Sequence, residues 1–308
     1  MKKLIENKLD YKKGAIPKAE YIDIMYQNHA VLFEYADFIK DTDIEKIEIS
    51  NGEVIMVTKD SGIKILCAKG DKRIAPIEIL NFDHYEKSEL DFTLKLIDKK
   101  STVFDIGANY GWYSFNIAKS FPDCKIYAFE PIPRTYSYLK TNIELNKFSN
   151  ININNFGFSD VEKEIPFYYY PEGSANASAA NLTNTDSVVK INCPVIMLDN
   201  FVAKNNVGLD FIKCDIEGAE LLAFKGGLKS IAKYKPVIFT EMLRKWSEKF
   251  NYHPNEIIKL LTDIGYGCFV IDGDYLKPFY KMDEQTIETN FFFLHLDHHK
   301  KKINMFLK

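Results

Sequence analysis

Arginine and paired cysteines are both scarce in this chain. Of its 308 residues 40 are basic, but the only arginines are Arg73, Arg134 and Arg244, so few guanidinium groups are available to hold a phosphate through two hydrogen bonds. The five cysteines are scattered and no two are spaced as Cys-x-x-Cys, which argues against a disulfide scaffold or a zinc site. We therefore expect free thiols and a reducing, cytoplasmic location.

Long apolar runs and a strong excess of charge are also lacking. No stretch approaches the roughly 20 apolar residues that span a bilayer. The two lysines near the N-terminus precede no apolar segment of the kind found in a signal peptide. The formal net charge is −3, whereas nucleic-acid binding usually needs a basic face. The sequence thus predicts no membrane span and no nucleic-acid partner.

Residues 1–95 are predicted to form a small α+β appendage. Apolar residues recur every three or four positions from Ile22 to Phe33, which indicates a helix. Its apolar face is expected to pack on the body of the protein or on a second copy, as in a homodimer through the N-terminal region. Further along, Asn51-Gly52 separates two apolar stretches and indicates a tight hairpin, which a third short strand extends into a β-meander.

Residues 96–308 alternate between strand-like and helix-like segments. This alternation predicts an α/β domain with a mostly parallel, Rossmann-like sheet and helices on both faces. The segment Gly173–Asp186, rich in serine, alanine and asparagine, is predicted to be a long loop. The predicted strands lie at residues 103–107, 125–130, 151–156, 209–215, 236–241, 268–271 and 290–295.

A glycine turn follows the first strand of this region. The segment Asp105–Gly111 resembles a dinucleotide fingerprint, but its two glycines are four residues apart and the third glycine is missing. The carboxylate of Asp105 suits a cationic ligand group, whereas a diphosphate would prefer free N–H groups. Glu130 ends the next strand, where an acid can accept hydrogen bonds from ribose hydroxyls. The pattern predicts binding of a nucleoside that carries positive charge.

Four segments carry the most distinctive residues of the chain: Val103–Ser114, Phe129–Pro131, Ser159-Asp160 and Phe211–Glu220. Together they resemble the FkbM family of class I S-adenosylmethionine-dependent methyltransferases. The resemblance implies a seven-stranded sheet whose last strand is antiparallel. It also implies an enzyme that methylates mainly the hydroxyl groups of sugars and natural products.

The resemblance also divides the cofactor contacts among residues. Glu86, ahead of the first motif, would reach the amine, and Tyr110 lies in the turn where it could cover the cofactor. The implied contacts are Asp105, Gly107, Ala108, Asn109, Tyr110 and Gly111 for the methionyl portion, Glu130 and Pro131 for the ribose, Ser159 and Asp160 for the adenine region, and Asp215 for the sulfonium end.

Methyl transfer to an alcohol requires an aligned nucleophile that loses its proton near the moment of attack. Three acids predicted at strand ends, Asp215, Glu217 and Glu241, and the nearby His253 are the candidates for this catalytic work. The acids could instead share a magnesium ion, since oxygen donors suit it. The sequence does not separate base from ligand, and a metal is possible but not favoured. Capping a helix is the competing interpretation for Glu217 and for His253.

The leading interpretation is a cytoplasmic O-methyltransferase that acts on a saccharide or related small molecule. Arg244 and Lys245 are predicted to hold a phosphate of a nucleotide-linked or lipid-linked sugar. N-methylation of a small amine stays open, because acceptor choice lies in loops that vary on one fold. An NAD-dependent oxidoreductase is disfavoured by the missing glycine. A non-catalytic nucleoside-binding protein is disfavoured because the cofactor motifs are intact.

Overall fold

A computed structural model describes residues 4–182 and 188–308, with the side chains of residues 174–176 left out. The first elements along the chain are two helices, an antiparallel three-stranded sheet and a third helix. They are α1 (Leu4–Lys12), α2 (Lys18–Phe38), β1 (Ile44–Ser50), β2 (Glu53–Thr58), β3 (Lys64–Leu66) and α3 (Ala75–Phe82). A short 3-10 helix, Ile39–Asp41, joins α2 to β1. The predicted N-terminal helix and β-meander are therefore confirmed.

The turn between β1 and β2 has the backbone that its sequence requires. Asn51 and Gly52 both adopt positive φ, at 51° and 81°, which a two-residue hairpin loop demands. The third strand, β3, contacts α6 (Pro133–Asn146). Side-chain oxygens of Asn142 and Asn146 accept hydrogen bonds from the backbone N–H groups of Leu66 and Lys64, both at 2.8 Å. The meander is thereby attached to the central domain.

The central sheet has eight strands in the order β14-β13-β15-β12-β11-β4-β5-β6. Strands β6, β5, β4, β11 and β12 run parallel, and β15 is antiparallel to both β12 and β13. Their bounds are β4 (Thr102–Ile106), β5 (Lys125–Phe129), β6 (Ile151–Asn154), β11 (Phe211–Cys214), β12 (Val237–Glu241), β13 (Tyr266–Asp272), β14 (Tyr275–Phe279) and β15 (Asn290–His295). Compared with the seven predicted strands, the sheet has one more at its edge, β14.

Helices cover both faces of this sheet, as predicted. Neighbouring residues of β4 point to opposite faces: Val103 packs with Phe92 and Ile117, whereas Phe104 packs in the other cluster with Phe201 and Ile231. The remaining helices are α4 (Lys87–Leu96), α5 (Trp112–Ser120), α7 (Leu198–Asn205), α8 (Glu220–Gly226), α9 (Leu228–Tyr234), α10 (Arg244–Ser247), α11 (Asn255–Thr262) and α12 (Lys300–Phe306), with a 3-10 turn at Glu248–Phe250. Within the described ranges no helix is both long enough and apolar enough to cross a bilayer.

A second, four-stranded sheet has the order β7-β10-β8-β9 and flanks the carboxyl ends of the central strands. It consists of β7 (Gly157–Phe158), β8 (Lys163–Tyr170), β9 (Gly173–Ser178) and β10 (Val189–Ile196). The loop predicted from Gly173 to Asp186 is therefore wrong at its start, where β9 pairs with β8. Residues 183–186 of that prediction lie outside the described residues.

The division of the chain at residue 95 stays a prediction. Helix α4 crosses that boundary at its last residue, and its Leu90, Phe92 and Leu96 are buried in the same apolar cluster as α5 and β13. The contacts therefore place α4 with the central sheet.

Candidate functional site

Two adjoining cavities lie at the carboxyl ends of the parallel strands. One has a volume of about 330 Å³ and is lined by several acids, and we call it the acidic cavity. The other has a volume of about 300 Å³, is lined mainly by apolar side chains, and is called the apolar cavity. Gly107, Pro131, Phe167 and Ile216 line both cavities. A single elongated ligand would have room to occupy the two together.

The structure brings most of the predicted site residues to these cavities. Those that line the acidic cavity are Glu86, Gly107, Ala108, Asn109, Tyr110, Glu130, Pro131, Asp215, Glu217 and Glu241. Ser159 and Asp160 line the apolar cavity. Asp105, Gly111 and His253 line neither of the two. The roles assigned to all of these residues stay predictions.

The glycine turn between β4 and α5 brings two strand ends into direct contact. Gly107 has a φ of 77°, and a Cβ atom there would lie 1.9 Å from the carbonyl oxygen of Asp215. Only glycine tolerates both the positive φ and this close approach. The N–H groups of Gly107 and Ala108 both donate to the Phe129 carbonyl at 3.0 Å. The turn is thereby fixed to β5 as well as to the loop after β11.

Asp105 lies beneath this turn and not in the cavity. Its Oδ2 accepts hydrogen bonds from the backbone N–H of Ser114 at 3.1 Å and from the Ser114 hydroxyl at 2.6 Å, while Oδ1 is buried without a hydrogen-bond partner. With 1% exposure, the carboxylate is covered by protein. The geometry makes Asp105 a support for the start of α5, and its direct contact with a cationic ligand stays a prediction.

Lys213 is the functional side chain that sequence reasoning undervalued. Its ammonium donates to the Gly107 carbonyl at 2.9 Å and lies 3.5 Å from Asp215 Oδ2 and 3.8 Å from Asp105 Oδ1. Burial acts to lower the pKa of Lys213, but the carboxylates of Asp215 and Asp105 outweigh it and raise the pKa. A single lysine inside the apolar strand β11 was the signal in the sequence, because an unpaired charge is rarely buried.

Glu130 stands between the two ends of the site. Its Oε2 accepts the Asn109 N–H at 3.1 Å, and its Oε1 accepts the Ile132 N–H at 2.9 Å. Burial raises the pKa of Glu130 to about 7, although these two hydrogen bonds act in the opposite direction. The Oδ1 atom of Asn109 is also buried and has no partner in the described part of the chain. A buried polar atom without a hydrogen-bond partner is available to a bound ligand.

Three carboxylates converge at the other end of the acidic cavity. One oxygen from each of Asp215, Glu217 and Glu241 lies within 4.8 Å of the other two. Burial and, after it, the charge of Asp215 raise the pKa of both Glu217 and Glu241. Glu86 lines the same cavity, and its Oε2 accepts the Tyr113 hydroxyl at 2.7 Å. This end of the cavity is strongly acidic.

The loop that carries Ser159 and Asp160 depends on the glycine pair after α8. A Cβ atom on Gly226 would lie 2.1 Å from the Ser159 carbonyl oxygen, so the helix end packs directly against this loop. Helix α8 ends at Gly226, and α9 begins after Gly227. The break thus supports the rim of the apolar cavity.

Two predicted polar residues are used elsewhere. His253 is exposed, and its Nδ1 accepts the Asn255 N–H at 3.2 Å at the start of α11. Arg244 donates to the backbone carbonyls of Asp283, Glu284 and Thr286. The expected phosphate contact of Arg244 is therefore corrected, because its guanidinium stabilises a loop. Its neighbour Lys245 does line the acidic cavity.

The fold and these cavities define a class I methyltransferase-type α/β domain, with its ligand site at the carboxyl ends of the strands. The model of the methyltransferase FkbM domain matches residues 105–268, and the chain belongs to this family.

Known proteins similar to this chain carry methyltransferase names. Methyltransferase 1 of Beauveria bassiana is 26% identical over 144 residues, which cover 41% of this chain and 58% of the relative. Methyltransferase sdnD of Sordaria araneosa is 29% identical over 153 residues, covering 40% and 59%. The matched region therefore spans about six tenths of the length of these relatives. A crystal structure of an FkbM methyltransferase from Methylobacillus flagellatus has 17% identity and a TM-score of 0.41, covering 65% of this chain and 45% of that one.

Proposed function

We propose that the protein is an S-adenosylmethionine-dependent methyltransferase that methylates a hydroxyl group of a sugar or related small molecule. The supporting observation is the order of the site: an apolar cavity, then the buried carboxylate of Glu130, then an acidic cavity, all along one edge of the sheet. A nucleoside with a positively charged tail has the same sequence of chemical groups. Membership of the FkbM family supports the same proposal.

The residues present fit such a donor. Phe158 and Ala219 offer an apolar lining for a flat base, with Ser159 at the rim. Glu130 has two carboxylate oxygens beside the junction of the cavities, suited to ribose hydroxyls, and the unpartnered Oδ1 of Asn109 adds a further acceptor. The acidic cavity would attract the charged tail.

When bound, the donor supplies an electrophilic methyl group on a positively charged sulfur. The work of the chain is then to hold the acceptor hydroxyl in line and to provide for the loss of its proton. Asp215, Glu217 and Glu241 lie where these tasks are required, either as bases or as ligands of a cation. His253 lies outside the cavities, and we assign no task to it.

The acceptor would enter from the side formed by the appendage and the second sheet. Arg73, Ile74 and Tyr85 supply one part of that wall, and Phe167 and Ala177 supply another. Trp246, with the Lys245 ammonium 4.2 Å above its ring, adds an aromatic surface of the kind that packs well against the apolar faces of small ligands. An amine acceptor is the alternative that the excess of carboxylates favours, and it would make the enzyme an N-methyltransferase.

Two further properties are part of the proposal. The five cysteines are free thiols, which agrees with a reducing compartment such as the cytoplasm. Helix α2 buries none of its residues, and Ile22, Tyr26 and Phe33 are each more than half exposed. A large exposed apolar surface usually marks an interaction site. We propose that a second copy of the chain covers it.

Calorimetric titration with S-adenosylhomocysteine and, separately, with NAD tests the proposed donor. We expect the first to bind and the second not to bind. Glu130→Gln keeps the size of the side chain and should weaken binding about 10- to 100-fold, since hydrogen bonds to a charged group contribute about 1.5–3 kcal/mol. Glu248→Gln, an exposed residue outside both cavities, is the matched control. Binding of NAD in the same site would contradict the proposal.

Mass spectrometry tests the acceptor class. The purified protein would be incubated with S-adenosylmethionine and a panel of sugars, sugar phosphates and amino sugars. The proposal expects a product that is heavier by one methylene group and carries an ether oxygen. Methylation at nitrogen would favour the amine alternative.

A further inference from the structure

Asp215, Glu217 and Glu241 come together because two parallel strands end side by side. The pairing of β11 with β12 places Cys214 opposite Thr240, so the next residues, Asp215 and Glu241, lie at the same level at the ends of these strands. Glu217 follows two residues later, on a backbone with a φ of 56°. One oxygen of each carboxylate then lies within 4.8 Å of the other two.

The charges of Lys213 and Lys245 act on Glu217, but neither lysine forms an ion pair with Glu217 or Glu241 in the described ranges. The ammonium of Lys213 is shared among the Gly107 carbonyl, Asp105 and Asp215. Within residues 4–182 and 188–308, no lysine, arginine or histidine nitrogen forms an ion pair with the carboxylates of Glu217 and Glu241. Two adjacent acids thus remain without an ion pair, which is unfavourable at close range in a buried site.

Glu217 provides a second, independent observation. Its Oε2 atom is buried and has no hydrogen-bond partner in the described ranges, although the residue as a whole is only partly buried. A buried polar atom without a partner costs free energy unless a ligand or ion supplies the missing contact. Glu217 therefore indicates a missing partner and not only a local accumulation of acids.

We propose that Asp215, Glu217 and Glu241 bind a single divalent cation of the magnesium or manganese type. All three donors are oxygen atoms, which these hard cations prefer, whereas zinc prefers histidine and cysteine. At metal–oxygen distances of about 2.1 Å, neighbouring ligands of an octahedral ion are about 3.0 Å apart and opposite ligands about 4.2 Å apart. The three side chains would therefore close further around a bound ion than they do here. Three protein ligands leave coordination positions open toward the acidic cavity.

The open positions give the ion a task in the proposed reaction. An acceptor hydroxyl bound there would be fixed in the cavity and made more acidic. This task depends on the proposed methyltransferase function, whereas binding of the ion depends only on the three carboxylates. The two proposals can therefore fail separately.

Manganese is the probe, because bound and hydrated Mn²⁺ differ in electron paramagnetic resonance. The full-length protein would be treated with a chelator, desalted and titrated with Mn²⁺. We expect one Mn²⁺ per chain, with a Kd below about 1 mM, and displacement by Mg²⁺. Glu217→Gln should weaken Mn²⁺ binding by at least about tenfold. Glu248→Gln removes an exposed carboxylate outside both cavities and should change the Kd by less than about threefold.

Calorimetry with S-adenosylhomocysteine on the same samples, with and without chelator, verifies that the variants are folded. Absence of bound Mn²⁺ while S-adenosylhomocysteine still binds would overturn the metal proposal alone. An equal loss in Glu248→Gln and Glu217→Gln would also overturn it, because the ion would then be a diffuse counter-ion. If D-glucosamine binds in place of Mn²⁺, the cavity holds an organic ammonium and the metal proposal is again wrong. Bound Mn²⁺ without S-adenosylhomocysteine binding would support the metal site and refute the proposed donor.

Discussion

The ammonium of Lys213 and the carbonyl oxygen of Gly107 are 2.9 Å apart and hydrogen-bonded. The bond joins β11 to the glycine turn after β4, so the two strand ends that form the site are held by one buried side chain. Lys213 also lies beside Asp105 and Asp215 and 5.5 Å from the ring centre of Tyr113. The cavity floor therefore depends on this residue.

Replacing Lys213 by methionine should destabilise the protein and weaken donor binding. The change leaves Asp105 buried without its cation. Breaking a buried ion pair lowers the free energy of unfolding by about 3–5 kcal/mol. We expect a decrease at the lower end of this range, because the side chain of Asp215 keeps 32% exposure. Urea unfolding measures the first effect, and titration with S-adenosylhomocysteine measures the second. Lys225→Met, on the exposed side of α8, is the control; equal stability of the two variants would contradict this role for Lys213.

Donor binding should weaken as the pH falls below about 7. Burial raises the pKa of Glu130 to about 7, so the carboxylate that ribose hydroxyls require is lost by protonation below that pH. The affinity for S-adenosylhomocysteine is expected to fall by up to about tenfold per pH unit below pH 7 and to level off above it. Calorimetry between about pH 5.5 and 8.5, a range that brackets this pKa, measures the profile. In Glu130→Gln the dependence should disappear, and an unchanged profile in that variant would exclude Glu130 as its source.

The two glycines after α8 should differ in their response to alanine. In Gly226→Ala the new Cβ meets the backbone oxygen of Ser159 at 2.1 Å, and the loop must move. We expect the free energy of unfolding to fall by about 1–3 kcal/mol and S-adenosylhomocysteine to bind more weakly. In Gly227→Ala the nearest atoms belong to the side chain of Leu198, at 3.0 Å or more, and the effect should be smaller. Thermal unfolding and calorimetry on both variants give the comparison; the reverse order would contradict it.

Periodicity and turn chemistry predicted the elements that bury apolar side chains on a regular spacing. Strands β4, β12 and β15 lie within about two residues of their predicted positions, because their apolar residues face a core. Strand β14 was missed: Lys277 and Pro278 interrupt its pattern, and edge strands tolerate both. Strand β9 was missed because small polar residues give no hydrophobic alternation.

In the candidate site, too, the sequence pattern predicted some features, whereas others depend on how the chain packs. Because ligands bind at the carboxyl ends of parallel strands, the sequence was enough to predict that Glu130, Asp215 and Glu241 share one edge of the sheet. The partner of each charge could not be predicted in this way. The contact of Arg244 with the carbonyls of residues 283–286, about 40 residues away, follows from no local spacing. The burial of Asp105 beneath Ser114 likewise depends on packing and not on the motif.

The helical hairpin α1–α2 should mediate dimer formation. Helix α2 has no buried residue, and its apolar side chains would gain free energy by burial against a second copy. Phe33 is 67% exposed, as is Ile49 in β1 outside the hairpin. Size-exclusion chromatography with light scattering should give twice the chain mass of 35.6 kDa for the wild type and for Ile49→Glu. Phe33→Glu should shift the protein toward the single-chain mass, because a carboxylate would have to be buried in the interface. A monomeric wild type at concentrations of about 0.1 mM, where even weak homodimers are populated, would refute the dimer and leave the methyltransferase site unaffected.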